Sequence, residues 1–425
     1  MQGKRRQFLA GASGAAAAAA AGSLALPGVA FAQQAPLKIG FSMGLTGALA
    51  PMGKASILTL QIWQEEINAR GGLLGRKVEL VYYDDQSNGS TVPAIYTKLL
   101  EVDKVDLVVS SYGTAMVAPP IPMLMQRGMT FMTLFGLDVN ARFHYDRYFA
   151  IMPAGPKPAL GWTVGFFDAV EMMNPKPKTI ALVGADAEYP HTALQAAHEH
   201  CKRLGLKIVY DKTYPPNNVD FSPVVRAIQA TNPDVVFVAS YPPDSVGMIR
   251  AAHEVGLKTR LFGGGMVGTQ YAAIRTQLGP LINGVVSLET YAPEAAAKFP
   301  GLDKFLEKYQ ARAGAAGVDP LGFYLPPYAY AMMQVIEQAV VKNKSLDQAK
   351  LAETMHKDSF DTVVGKVQFG ANGEWTQGRL LYVQYHDVKT NSVDEWRKAG
   401  KCTVLSPKDY VSGKLVEPYT TASKT

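Results

Sequence analysis

From Leu37 onward, short β-branched or aromatic runs alternate with stretches whose apolar positions recur at helical spacing. Lys38-Ile39-Gly40-Phe41 predicts a strand, and Ala55 to Ala69 a helix that Gly71-Gly72 ends. Strands are expected at Val78 to Tyr83, Asp106 to Val109 and Thr130 to Thr133, with helices over Thr91 to Glu101 and from near Thr114. This βαβα order implies a parallel sheet with helices on both faces. After the Pro- and Gly-rich passage Met152-Pro153-Ala154-Gly155-Pro156-Lys157-Pro158 the pattern starts again. Thr179 to Val183, Lys207 to Tyr210 and Asp234 to Val238 predict strands; Ala187 to Leu204, Phe221 to Ala230 and Ser245 to Val255 predict helices. Later helices are expected at Lys298 to Arg312 and Tyr328 to Val341, and final strands at Lys366 to Phe369 and Leu380 to Tyr385. The expectation is an α/β protein of two doubly wound, parallel-sheet lobes.

Composition supports a packed chain and adds an address. At 425 residues, 48% hydrophobic and 18% charged, the sequence suits two cores and not wholesale disorder. Lys4-Arg5-Arg6-Gln7-Phe8-Leu9, an Ala-rich apolar stretch and Ala30-Phe31-Ala32 follow the order of a secretory signal. The arginine pair makes it resemble the twin-arginine type. Residues 1–32 are therefore expected to be removed, leaving a periplasmic chain from Gln33 with no lipid anchor and no membrane span. The signal carries Lys4, Arg5 and Arg6 and no acid, so the formal +6 falls to +3 on its loss. The remaining cations are scattered among acids, which gives nucleic-acid binding no support. Cys201 and Cys402 lie far apart and are expected to be unrelated thiols.

Gly44-Leu45-Thr46-Gly47, Gly53, Ile67 to Gly72, Leu74-Gly75-Arg76 and Tyr83-Asp84-Asp85 occur in one order and spacing. With Asp234 to Phe237, Arg250-Ala251-Ala252, Gly256-Leu257-Lys258 and Val364 to Val367, they resemble the leucine/isoleucine/valine-binding-protein family of ABC-importer receptors. The resemblance implies two lobes joined by a three-crossover hinge, near Pro153, Thr290 and Val364, closing on a small solute. Lobe 1 would be 33–153 plus 290–364, and lobe 2 154–289 plus 365–425. It implies permease subunits as partners, a monomer, no cofactor and no catalysis. Met52, Tyr112, Thr114, Phe135, Gly136 and Leu137 fall on first-lobe contact positions. Tyr189 and Tyr241 match second-lobe aromatics, and Phe323 an apolar wall.

Elementary chemistry places the site similarly. In open α/β sheets ligands bind beyond the carboxyl ends of strands, and Ser110 to Ala115 follows a strand and opens a helix. Its N–H groups and the Thr114 hydroxyl suit a carboxylate, or Thr114 merely caps its own helix. Amino-acid receptors of the family carry an acid, for the ligand's ammonium, in the loop that here reads Gly263-Gly264-Gly265-Met266, where Gly265 takes its position. A stranded ammonium is costly, so the expected solute is an acid without an amino group, aromatic acids first. Branched-chain amino acids are the alternative, with Asp138 or a charge from another loop taking the acid's role, and a ligand-sensing ectodomain is a second one.

Other constellations point away from catalysis. His191, His198, Glu199, His200 and Cys201 read as a solvated helix face and not a metal site, because adjacent helical residues diverge. The glycine triplet lacks the Lys-Ser/Thr of a phosphate loop, and no Gly-x-Ser-x-Gly elbow occurs.

Overall fold

The computed structural model describes residues 34–216 and 218–424; the expected signal lies outside the described residues. β1 (Leu37–Met43), β2 (Val78–Asp84), β3 (Leu107–Val109), β4 (Phe131–Thr133) and β5 (Tyr148–Ala150) form a parallel sheet in the order β2-β1-β3-β4-β5. β1, β3, β4 and β5 are buried, as continuous apolar runs such as Leu107–Val109 require, and the edge strand β2 is half-buried.

A second sheet of seven strands has the order β14-β13-β10-β9-β8-β6-β7. Its parallel part comprises β6 (Thr179–Ala185), β7 (Lys207–Tyr214), β8 (Val235–Ser240), β9 (Leu261–Met266) and β10 (Val286–Glu289). β11 (Ser359–Thr362) and β12 (Gly365–Gln368) pair only with each other, as an antiparallel hairpin. The strand expected near Lys366 therefore does not join the second sheet. β13 (Leu381–Tyr385) and β14 (Cys402–Ser406) do, antiparallel, so that sheet is mixed and not wholly parallel.

β9 replaces the loop expected over Gly263 to Met266. Glycine runs read as turns, but here they permit close packing. Gly263 and Gly264 have φ of 145° and 124°, a backbone region essentially reserved for glycine. A Cβ on Gly263 would stand 1.8 Å from the Val286 carbonyl oxygen, and one on Gly264 2.6 Å from the Phe237 ring.

The chain passes between the sheets after β5, after β10 and again between β12 and β13. Following β10, helices Leu302–Ala316 and Leu325–Asn343 return to helix Ala50–Ala69. Ion pairs Lys308–Glu66 at 2.6 Å and Arg312–Glu65 at 2.7 Å, and the Trp63 indole donating to Glu337, join these helices. The Phe369 ring, just past the hairpin, lies 5.3 Å from Phe149 of β5. None of the described helices is long and apolar enough to cross a membrane. Cys201 and Cys402 are separate buried thiols.

Candidate functional site

Asp84 ends β2, Asp85 follows it, and the two organise the loops above the first sheet. Asp84 accepts from the Leu45 and Thr46 N–H groups and, at 2.6 Å, from the Thr46 hydroxyl. Burial raises its pKa, but the Thr46 hydroxyl and the N–H groups of Gln86, Leu45 and Thr46 outweigh it and hold the carboxyl below its ordinary range. Asp85 accepts from Ser42 Oγ at 3.1 Å and Ser111 Oγ at 2.6 Å, which fixes the loop after β3.

That loop is laced to the one after β4. The Gly113 N–H donates to the Phe135 carbonyl at 2.8 Å, and the Leu137 N–H donates to Thr114 Oγ1 at 3.0 Å. Gly113 holds a φ of 102°, which a side chain would strain. The Thr114 hydroxyl thus accepts from Leu137 and keeps its own hydrogen to donate.

Between these loops and the ends of β8 and β9 lies a cavity that leaves about 50 Å³ for a water-sized sphere. Tyr112, Thr114, Phe135 and Leu137 line it from the first sheet, Tyr189 and Tyr241 from the second. These six of the expected residues are brought together. Tyr241 precedes helix Pro242–Val255, and Tyr189 stands in the first turn of helix Glu188–Leu204. Leu49, Met152, Trp162, Val267 and Tyr324 also line the cavity and were not anticipated. Tyr324 had a signal in its neighbour Phe323, one position away; Trp162 had none, because a helical tryptophan reads first as core.

Four expected residues sit elsewhere. Met52 lines a different groove, beside Pro51 and Val246. Phe323 packs against Tyr291 with ring centroids 5.0 Å apart. Gly136 backs onto the Val117 side chain. Gly265 lies behind Tyr189, whose hydroxyl stands 2.7 Å from where its Cβ would be. That hydroxyl donates to the Gly265 carbonyl at 2.8 Å and accepts from the Trp162 indole at 3.0 Å. The room freed by glycine is therefore filled by a phenol and not left open. Asp138 also misses the cavity and lines two neighbouring depressions.

The walls are edge-to-face aromatic pairs: Phe135 with Tyr324 at 5.5 Å and with Trp162 at 6.2 Å, and Tyr189 with Tyr241 at 5.6 Å. Tyr112 and Tyr324 meet through their hydroxyls at 3.3 Å, a contact that uses one hydrogen of the two. Burial pushes the Tyr112 phenol up to about 12, with the Tyr324 hydrogen bond opposing, and burial raises Tyr189 and Tyr241 as well. All three are neutral donors at ordinary pH. None of the described side chains lining the cavity carries a formal charge.

On helix Glu188–Leu204, His191 and His198 face solvent beside Asp186 and Asp211. His200 and Cys201 face inward instead, with the His200 ring stacked on Phe167 at 4.7 Å, so the face is not wholly solvated as expected.

A profile of the periplasmic binding protein family matches residues 36–387. The Leu/Ile/Val-binding protein homolog 8 of Brucella suis biovar 1 (strain 1330) is 26% identical over 389 residues, spanning 87% of this chain and 93% of its own. A solute-binding protein from Rhodopseudomonas palustris HaA2, solved in complex with p-hydroxybenzoic acid, superposes with a TM-score of 0.72 at 18% identity, over 88% of this chain and 98% of the other. The branched-chain amino acid transporter substrate-binding protein LivJ from Streptococcus pneumoniae, solved with isoleucine, gives 0.71 at 19% identity, over 88% and 100%. The two structures establish a shared fold, and the profile match establishes kinship: the chain belongs to the periplasmic binding protein family.

Proposed function

We propose that this protein captures a small carboxylate without an amino group, of the aromatic-acid type, for delivery to the permease of an ABC importer. The carrying observation is the uncharged, aromatic lining of the cavity. An α-amino acid bound there would bury its ammonium with no carboxylate to meet it, which costs several kcal/mol. A carboxylate asks less, because the Thr114 hydroxyl and the first N–H groups of helix Thr114–Val117 stand at the rim as donors. The aromatic walls supply the burial that an apolar ring needs. Residues 1–32 would direct export in twin-arginine fashion, and the mature chain would work as a periplasmic monomer.

A thermal-shift panel tests the solute class, pairing molecules that differ only in the amino group, such as 3-phenylpropanoate against phenylalanine. A solute at a hundredfold its dissociation constant adds about 2.7 kcal/mol of stability. Benzoate, 4-hydroxybenzoate, cinnamate or 3-phenylpropanoate should raise the melting temperature, and their amino analogues should not. Stabilisation by leucine, isoleucine or valine with none from the acids would overturn the reading in favour of an amino-acid receptor.

A further inference from the structure

Beside the solute cavity, a depression of about 430 Å³ lies between the segment after β4 and the turn after β12. Three acidic residues line it: Asp138, Asp146 and Glu374. Among the described residues, none of the three makes an ion pair or a side-chain hydrogen bond, whereas most other acids of the chain have a partner. Glu374 is the extreme case, only 2% exposed and with neither carboxylate oxygen partnered. A buried carboxylate left this way is costly unless something positive meets it.

The wall around these acids is held in place. Asn140 donates to the carbonyls of Tyr145 and Asn372 at 3.0 Å each and accepts from the Tyr145 N–H at 2.8 Å. Among the described residues no three His, Cys, Asp or Glu side chains converge closely enough to hold one metal ion. The negative charge is spread along the depression and not focused at a point. A complementary occupant carries its positive charges spread along a chain as well.

We infer that this depression binds a small linear polyamine, with one ammonium received by Glu374 beside Asp138 and another by Asp146 at the exposed rim. Burial first, and then the charge of Asp138, raises the Glu374 pKa well above its ordinary value. An arriving ammonium reverses that balance, so binding releases a proton from Glu374.

Calorimetry on the full-length chain at low salt tests this with putrescine, spermidine, n-butylamine and calcium chloride. One polyamine should bind at a single site, and n-butylamine more weakly. Repeating the titration in two buffers of different ionisation heat should reveal proton release in the wild type. Glu374→Gln should weaken polyamine binding about tenfold or more, the loss of a charge-assisted contact, and abolish the proton release. Asp138→Asn, at a half-buried position, gives a second reading should Glu374→Gln fold poorly. No heat from either polyamine, preferential binding of calcium, or unchanged affinity in both variants would overturn the assignment.

Discussion

At Gly265, where the sequence resemblance implies an acid in amino-acid receptors, the chain has a glycine with a phenol behind it. The Tyr189 hydroxyl is anchored on both sides, to the Gly265 carbonyl and the Trp162 indole, so it cannot swing away cheaply. Gly265→Ala puts a methyl 2.7 Å from that oxygen and should cost about 1–3 kcal/mol in chemical denaturation, as overpacking does. Gly263→Ala should cost more, because its methyl would meet a backbone oxygen at 1.8 Å and a φ of 145°. Adding Tyr189→Phe to Gly265→Ala removes the obstructing oxygen, so the pair should deviate from additivity by more than about 0.5 kcal/mol. A neutral Gly265→Ala would show that Tyr189 is not fixed there. Glu374 offers a second test at this scale. Its folded pKa lies well above the ordinary 4.5, so the folded chain holds a proton that the unfolded chain releases. That contribution to stability is fully present below pH 4.5 and is lost as pH rises through the folded value. In amine-free buffer, Glu374→Gln should match the wild type near pH 4 and exceed it at pH 8 in urea denaturation; equal stability at both would mean the carboxyl is solvated.

Elements were legible in the sequence where one signal dominated. Val235–Ser240 is a run of buried apolar residues between breakers, and it folds as such a run should. Leu261–Met266 was not legible as a strand, because three glycines read locally as a turn, while the contacts that demand them, Val286 and Phe237, lie on neighbouring strands. β5, Tyr148–Ala150, is a buried strand that was not anticipated from the sequence. The site followed the same rule. Tyr112, Thr114 and Tyr241 sit just beyond strand ends, where position alone identifies them; Trp162 and Tyr324 reach the cavity through tertiary packing that local pattern does not encode. Long-range pairing also sets the cost of the junction between β10 and helix Ala272–Leu278. Arg275 and Glu289 form an ion pair with side chains only 4% and 1% exposed. Tyr385 donates to the same carboxylate at 2.5 Å, and Arg275 lies 4.4 Å over the Trp396 ring. Breaking a buried pair leaves one charge stranded, so Glu289→Gln or Arg275→Met should each cost about 3–5 kcal/mol. Removing both should cost less than the sum, which urea denaturation of the double variant would read. Simple additivity would mean that the two charges do not depend on each other.

At the scale of the molecule, the first and third passages between sheets are tied to each other, and the second is tied to the segment that brings Tyr324 to the cavity. The Arg379 N–H, on the third passage, donates to the Pro153 carbonyl of the first at 2.8 Å. On the second passage, the Thr290 hydroxyl bonds the Phe323 and Tyr324 carbonyls at 3.0 and 3.1 Å, and Tyr328 donates back to the Thr290 carbonyl. A rotation about these segments leaves both sheets intact while moving Tyr112, Phe135 and Tyr324 relative to Tyr189 and Tyr241. On the aromatic-acid proposal such a motion would be needed, because about 50 Å³ between those walls does not admit a benzoate-sized solute without the sides parting. Once inside, a solute that touches both sides stabilises only the arrangement in which both can reach it, so its binding shifts the population toward closure. Small-angle scattering should therefore give a smaller radius of gyration at saturating solute than in its absence, using whichever acid stabilises the protein in the thermal-shift panel. The change should shrink in Tyr241→Ala, which keeps the first-sheet lining but loses one of the two tyrosine rings that line the cavity from the second. Superimposable curves for the free and saturated wild type would mean that the sides do not move, and the solute would have to enter by local motion of the loops after β3 and β8.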